Sequence, residues 1–410
     1  MVELLSPAGN FEKMKAALRF GADAVYLAGK RFGMRASADN FSEEELREAC
    51  AYCHALGKKL YLTVNITPRW YEFDDLDRWL RGLRGIGVDA LIVADPAVLE
   101  LAKEALPEAQ LHISTQAGVV SPRDADFWRR QGASRVVLAR ELTFEDIAAI
   151  RRDCSKELEI EAFIHGSMCV SFSGRCLLSE HLIGRDANRG MCAQPCRWNY
   201  KLYEIEEEKR PGLRFPIEES DRGTFIMSSK DMCMIEHIPE LMESGITSFK
   251  IEGRMKSAYY TAVTANAYRI AIDRYLADPA GYRFDPALLD ELCSVSHREY
   301  CTGYYLGDAR EHAEIVTTPG YIREKAYLAV VESYDPETGR ADLIQRNKLC
   351  EGDCCELLTP GKTGREMSAL SLRDAEGNPI ENTPHPYMPF SMEMPFPVKP
   401  GDILRGAKND

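Results

Sequence analysis

Residues 90–116 read ALIVADPAVLELAKEALPEAQLHISTQ. Two short apolar runs, ALIVADP (90–96) and QLHISTQ (110–116), flank a segment with the spacing of an amphipathic helix. Runs this short and this rich in aliphatic residues suit strands buried on both faces of a parallel sheet. The alternation continues in both directions through ELLSPA (3–8), AVYLAG (24–29), KLYLTVN (59–65), RVVLAR (135–140), EIEAFIHG (159–166), TFIMSSK (224–230) and SFKIEG (248–253). Helix starts are legible between them: Asn10 opens FEKMKAALRF, and Ser42 with Glu45 spells a capping box ahead of LREACAYCHALG.

Nine runs are one more than a (β/α)8 barrel needs. TFIMSSK is the expected accessory strand, because a long insertion precedes it. A doubly wound open sheet would also alternate in this way, but no GxGxxG follows the first run. The expected fold is therefore α/β: a TIM-barrel-like (β/α)8 domain over residues 1–315 with a Cys-rich loop at 166–200. Many runs close on polar residues (Ser6, Asn65, Asp95, Ser114, Gln116, Arg140, His165, Lys250 and Glu252). Barrel active sites gather at the C-terminal ends of strands; the plainer reading is that strands end where polar loops begin.

From about residue 320 the texture changes. YLAVVESYDPETGRADLIQ alternates apolar and polar residues around a DPETGR hairpin turn. This predicts a small antiparallel β-barrel C-terminal domain over residues 316–410. The nearby PGKTG is not a phosphate loop, since Glu356 stands where the first glycine is required.

Whole-chain properties narrow the function. A net charge of −13 argues against non-specific coating of nucleic acid, which relies on many cations, so RNA contact requires a local basic patch. No basic region leads into an apolar run at the start, and no apolar stretch approaches the roughly 18 residues of a membrane span, so a cytoplasmic protein without membrane association is expected. Thirteen cysteines cannot all pair within one chain. In such a setting clustered cysteines point to metal or catalysis.

Four of them form one cluster: Cys169, Cys176, Cys192 and Cys196, spaced x6, x15 and x3 and set among Gly166, Gly174, Gly184 and Gly190. The glycines let a loop turn back around a compact centre. Structural zinc sites favour tight C-x2-C knuckles, which are absent here. Irregular gaps with Ser167, Ser171 and Ser173 close by suit an iron–sulfur cluster better, though the spacing alone leaves the metal open. Cys233 is an alternative fourth ligand. Cys50-Ala-Tyr-Cys53-His54 spells a haem-attachment pattern, but both cysteines fall on one helical face and read as core.

The stretch EAFIHGSMCVSFSGRCLLS (161–179) closely resembles the signature of peptidase family U32, and ELLSPAGNFEKMKAALRFGADAVYLAG, STQAGVVSP, GMCAQPCRWNY, SSKDM and SFKIEGRMKSAYY resemble it too. The family takes its name from collagenase-like peptidase activity. The resemblance also implies oxygen-independent hydroxylation, as in bacterial members that act on the tRNA wobble uridine (position 34) with prephenate as hydroxyl donor. Other members modify 23S ribosomal RNA or act in ubiquinone synthesis. The CRW after the fourth cysteine makes the chain most similar to the tRNA branch. It implies a 4Fe-4S cluster on Cys169, Cys176, Cys192 and Cys196, tRNA as partner, and a protein partner or homo-oligomer.

The residues agree with that expectation. No HExxH or GxSxG is present, and a His165–Cys169 thiol–imidazole pair would leave three cysteines unexplained. An anionic hydroxyl donor needs fixed cations, for which Arg175, Arg189, Arg197, Arg254 and Lys250 are candidates. Between 165 and 201 five Lys/Arg stand against two acids, the local basic patch RNA requires. Trp198 and Tyr200 are candidates to stack on an extruded base or, more plainly, to pack the loop. Lys250 and Glu252 share one strand face, where with His165 they are expected to move protons; a structural ion pair is the other reading.

Overall fold

The computed structural model describes residues 2–34, 39–169, 171–172, 176–198, 219–220, 223–224, 229–307, 321–322 and 324–407. The chain forms two compact units. One comprises residues 1–11, 23–255 and 298–321, and the other residues 12–22, 256–297 and 322–410.

The first unit is built on seven successive strands: β1 (Glu3–Pro7), β2 (Ala24–Ala28), β3 (Lys59–Val64), β4 (Ala90–Val93), β5 (Gln110–Ile113), β6 (Arg135–Val137) and β7 (Glu159–Ser167). Each pairs in parallel with the next. The circle closes through a later strand, which pairs in parallel with both β1 and β7. The chain order of the helices is α1 (Phe11–Arg19), α2 (Glu43–Ala55), α3 (Phe73–Gly82), α4 (Pro96–Ala105), α5 (Pro122–Arg130), α6 (Phe144–Asp153) and α7 (Leu178–Ile183). The Ser42–Glu45 capping box forms as expected, with the Glu45 amide donating to Ser42 Oγ at 3.2 Å and the Ser42 amide to Glu45 Oε2 at 2.7 Å. Asp95 is a simple N-cap of α4, its carboxylate accepting from the amides of Ala97 and Val98.

After β7 come a two-strand hairpin, β8 (Glu219–Ser220) with β9 (Gly223–Thr224), then β10 (Asp231–Cys233), α8 (Ile238–Glu243) and the closing strand β11 (Ser248–Ile251). Eight parallel strands thus make the expected TIM-like barrel. The eight strands are the eight expected runs other than TFIMSSK (224–230), of which residues 225–228 lie outside the described residues. Beside the barrel stands β10, which no apolar run announces. β7 continues past its last partner on β6, and its end, Ser167 to His165, pairs antiparallel with Asp231 to Cys233. A buried Asp231–Arg298 pair fixes that strand, with Arg298 donating through Nε at 2.9 Å and through its own amide at 3.1 Å.

The second unit contains most of α1, then α9 (Ala258–Ala277) and α10 (Ala287–Cys293). β12 (Tyr300–Cys301), which follows α10 in sequence, belongs to the first unit and pairs with β10. The remaining strands are β13 (Lys325–Asp335), β14 (Arg340–Gln345), β15 (Cys354–Leu358), β16 (Arg365–Ser368), β17 (Leu370–Arg373), β18 (Pro389–Glu393) and β19 (Ile403–Ala407). They form one antiparallel half-barrel sheet in the order β16-β15-β19-β13-β14-β18-β17. DPETGR makes the expected turn between β13 and β14, with Asp335 accepting from the Glu337 amide and the Thr338 hydroxyl. Leu328, Val331, Leu343, Leu357, Phe390, Met392 and Leu404 pack its core. Arg405, fully buried, joins Glu291 of α10 to Glu356 of β15, at 2.7 Å from each.

Candidate active site at the barrel mouth

Strand register brings charged residues together inside the barrel. Glu3 lies beside Ser248, and Ser248 beside Glu161; Arg135 lies beside His112 on one side and Glu159 on the other. Arg135, 2% exposed, bonds Glu3 at 2.6 Å, Glu161 at 2.9 Å and Glu159 at 2.7 Å. Lys250 Nζ lies 2.7 Å from Glu161 Oε1, and its ammonium sits 4.4 Å from the centre of the Tyr26 ring. Tyr61 donates to Glu3 at 2.6 Å. Two inward cations therefore face Glu161, fully buried, and Glu3, mostly so. Burial alone would raise the Glu161 carboxyl, but Lys250 and Arg135 outweigh it and hold the group below the ordinary carboxylate value. His112, wholly buried with its ring edge-on to Tyr61 at 4.7 Å, is kept neutral by desolvation and by the neighbouring Arg135 and Lys250.

Above this layer, at the C-terminal ends of the strands, lies a second polar set. The Tyr26 hydroxyl reaches both the Ile251 carbonyl at 3.0 Å and Glu252 Oε2 at 3.2 Å. Burial, then Glu252, push the Tyr26 phenol well above its usual value; Arg254 and Arg140, both near enough to act on it, oppose the rise. Arg140 stacks on Phe163 at 3.8 Å, approaches Glu252 at 3.8 Å and bonds the Ser167 carbonyl. Arg254, 4% exposed, donates to Thr63 Oγ1 at 3.1 Å. Asn65 donates to Gln116 at 2.7 Å. Gly166 is required here: its φ is +103°, and a Cβ would stand 2.4 Å from the Glu252 carbonyl oxygen.

The expected site residues fall into separate groups. Glu252 and Arg254 lie at the mouth around Tyr26, whereas Lys250 lies in the layer below, paired with Glu161. His165 is 1% exposed, lies opposite Cys233 in register and has its ring 5.4 Å from Tyr300, whereas Cys169 is exposed. Arg189 makes a two-point ion pair with Glu72, at 2.7 Å to each oxygen, and bonds the Thr67 carbonyl at 3.0 Å. Trp198 donates its Nε1–H to the Ala193 carbonyl at 2.9 Å, within its own loop. Arg197 lies in a short 3-10 turn (Pro195–Arg197), while Arg175 and Tyr200 lie outside the described residues.

Cys169 is exposed, Cys176, Cys192 and Cys196 are half-buried, and Cys233 is buried. The Gln194 amide points at Cys192 Sγ, 3.4 Å away, the kind of bond a metal-bound thiolate accepts. The donor set therefore fits a metal or iron–sulfur centre in chemistry. In arrangement it does not: among the described residues, no three His, Cys, Asp or Glu are grouped to hold a metal ion. Cys50 and Cys53 are core residues of α2, as expected, and burial pushes both thiols up to about 12.

Glu3, Tyr26, Tyr61, Thr63, His112, Arg135 and Glu161 are absent from the expected set, and Arg140 appeared there only as a strand end. The available signal was charge at alternate positions inside apolar runs, as in Glu159 and Glu161 of EIEAFIHG.

Comparison with known proteins accords with this architecture. The model of peptidase family U32 matches residues 9–314, and that of the peptidase family U32 C-terminal domain matches residues 323–405. The chain is 36% identical over 416 residues to tRNA hydroxylation protein P1 of Bacillus subtilis, covering 99% of this chain and 95% of that protein. It is 36% identical over 415 residues to tRNA hydroxylation protein P of Escherichia coli, with coverage of 92% and 91%. It is 32% identical over 376 residues to a Collagenase of Porphyromonas gingivalis, with coverage of 88% and 87%. With matches of this extent over both its parts, the chain belongs to peptidase family U32.

Proposed function

We propose that this chain is an RNA-modifying enzyme that hydroxylates C5 of the tRNA wobble uridine, with prephenate as hydroxyl donor and an iron–sulfur cluster on its cysteine loop. The observation that carries the reading is near-full-length similarity to proteins named for tRNA hydroxylation, joined to a barrel mouth lined with arginines and a carboxylate.

Replacing C5–H by C5–OH is a two-electron oxidation that releases a proton. Without molecular oxygen, the donor is the oxidant: its C–O bond breaks as the C5–O bond forms, and the dehydroxylated donor leaves reduced by two electrons with the proton that C5 gave up. Arg254, steadied by Thr63, takes a donor carboxylate through charge-assisted hydrogen bonds. Glu252 receives the C5 proton, and the Tyr26 hydroxyl holds the carboxylate in place. Lys250, neutralised by Glu161, keeps the floor of the site rigid. Cys169, Cys176 and Cys192, with Cys196 or Cys233, would hold the cluster only once the loop draws together sulfurs that are not grouped in this structure; when bound, it would supply one-electron chemistry.

The peptidase reading raised by the Porphyromonas gingivalis relative is less well supported. Proteolysis through a thiol needs a base beside it, and here Cys169 is exposed while His165 is buried. The test is nucleoside mass spectrometry of tRNA from a deletion strain, complemented or not with this chain. Loss of 5-hydroxyuridine derivatives on deletion and their return on complementation is the expected result; unchanged levels in a strain without a second homologue would sink the reading.

A further inference from the structure

Trp70 is 86% exposed, more than any other large hydrophobic side chain among the described residues, and its neighbour Tyr71 is 65% exposed. Their rings stand edge to face, 5.7 Å apart at 85°, so that each offers a face to solvent. The contrast within the chain is sharp. Trp79 and Trp128 are 7% and 8% exposed, and Trp198 is bonded into its own loop. Two neighbouring aromatic side chains left in water forgo the burial that normally stabilises side chains of their size.

The turn that carries them is braced. Trp70–Glu72 forms a 3-10 turn just after β3, and so at the C-terminal end of the barrel. Glu72 accepts from the Arg69 amide at 2.6 Å and from both Arg189 nitrogens at 2.7 Å, while Arg69 pairs with Asp186 at 3.4 Å. These bonds tie the turn to the cysteine loop while its two aromatics point outward. Arg69, though paired with Asp186, is 55% exposed at its side chain, and Arg185 is exposed, so cations for a polyanion stand at the turn. Of the acids that follow, Asp75 is paired with Arg31 and Arg78 and Asp77 with Arg81, while Asp74 is exposed.

We propose that Trp70 and Tyr71 are a stacking platform for unpaired bases of a single-stranded RNA loop, presented beside the cysteine loop at the barrel mouth. This deepens the RNA-hydroxylation reading and rests on it. Chemistry on a base requires its removal from the stack, and the neighbours that lose a stacking partner need another surface. Aromatic faces supply one for any base, at about 1–3 kcal/mol per base.

The experiment uses the full chain and two RNA probes: a stem-loop with a uridine-containing single-stranded loop, and a blunt duplex of the same stem. Binding is read by fluorescence anisotropy, and stacking by quenching of tryptophan emission. Trp70→Ala should weaken loop binding roughly 5- to 100-fold and remove most of the quenching. Trp70→Phe should hold within about 3-fold, and duplex binding should not change. Because both side chains are exposed, the variants should keep the wild-type melting temperature. Wild-type affinity for the loop in a Trp70→Ala/Tyr71→Ala double variant would remove the platform and leave the RNA reading standing. The platform also falls if the duplex loses affinity equally, or if the double variant changes only self-association in sedimentation. Failure of the wild-type chain to bind the loop would overturn both.

Discussion

Lys250 and Glu161 form an ion pair 2.7 Å long inside the barrel, with side chains 5% and 0% exposed. Glu161 also receives Arg135, but Arg135 keeps Glu3 and Glu159 as well, so Lys250 is the cation that depends on Glu161. Glu161→Gln should therefore be the more damaging change, leaving the Lys250 ammonium buried without its carboxylate, at a cost of about 3–5 kcal/mol. Lys250→Met leaves Glu161 paired with Arg135 and should cost less. Urea unfolding of the two variants measures the difference; a Lys250→Met chain that is the less stable one would contradict this account of the interior.

The same pair predicts a pH dependence. The folded Glu161 carboxyl is held below its ordinary value of about 4.3, so the unfolded chain binds its proton more readily. Its contribution is then complete above that value and lost as pH falls through the lower, folded one. Glu161→Gln should flatten this acid limb of stability, measured as unfolding free energy between about pH 5 and pH 3. An unchanged slope would mean that another group carries it.

At the mouth, Arg254 and Glu252 should separate kinetically. Arg254→Ala removes a charge-assisted contact and should weaken donor binding about 10- to 150-fold, seen mainly in KM for the donor. Glu252→Gln keeps the shape and removes the base, so kcat should fall about 10²- to 10⁴-fold with little change in KM. Equal effects of both variants on KM alone would argue that Glu252 binds rather than takes the proton.

Which parts of this could be read beforehand follows from how local each signal is. The barrel strands are short apolar runs between helices, and the β13–β14 hairpin is announced by DPETGR; both signals lie within a few residues. The interior ion pairs are not of that kind. Arg135 meets Glu3 from 132 positions away, and Lys250 meets Glu161 from 89, so only closure of the barrel reveals them. Arg189 reads as a free cation near a proposed site until Glu72, 117 residues earlier, takes it. β10 is not announced in the sequence, because pairing with the end of β7, and not apolar content, selects Asp231–Cys233.

The cysteine loop illustrates the same limit from the other side. Closeness in sequence groups four thiols but does not direct their sulfurs to one point. Cluster assembly therefore has a testable requirement. After anaerobic purification, Cys169→Ala, Cys176→Ala and Cys192→Ala should each remove roughly half or more of the iron and acid-labile sulfide. Comparing Cys196→Ala with Cys233→Ala then identifies the fourth ligand as whichever change removes a similar share. Wild-type protein without iron under those conditions would end the cluster proposal.

Gly166 gives a sharper test of whether the β7–β11 contact positions Glu252. At φ +103° any side chain is strained, and an alanine Cβ would also lie 2.4 Å from the Glu252 carbonyl oxygen and 3.0 Å from its Cβ. Gly184 offers the control: its φ is +66°, and among the described residues nothing lies within 4 Å of a Cβ built there. Gly184→Ala should cost about 1 kcal/mol, the left-handed penalty alone. Gly166→Ala should cost more than that and also lower kcat, because the backbone it displaces carries Glu252. The two effects are separable by temperature, since a pure stability loss is recovered when activity is measured well below the melting midpoint. If Gly166→Ala regains wild-type kcat in the cold, the contact serves only the fold, and Glu252 is held by Tyr26 and Arg140 instead.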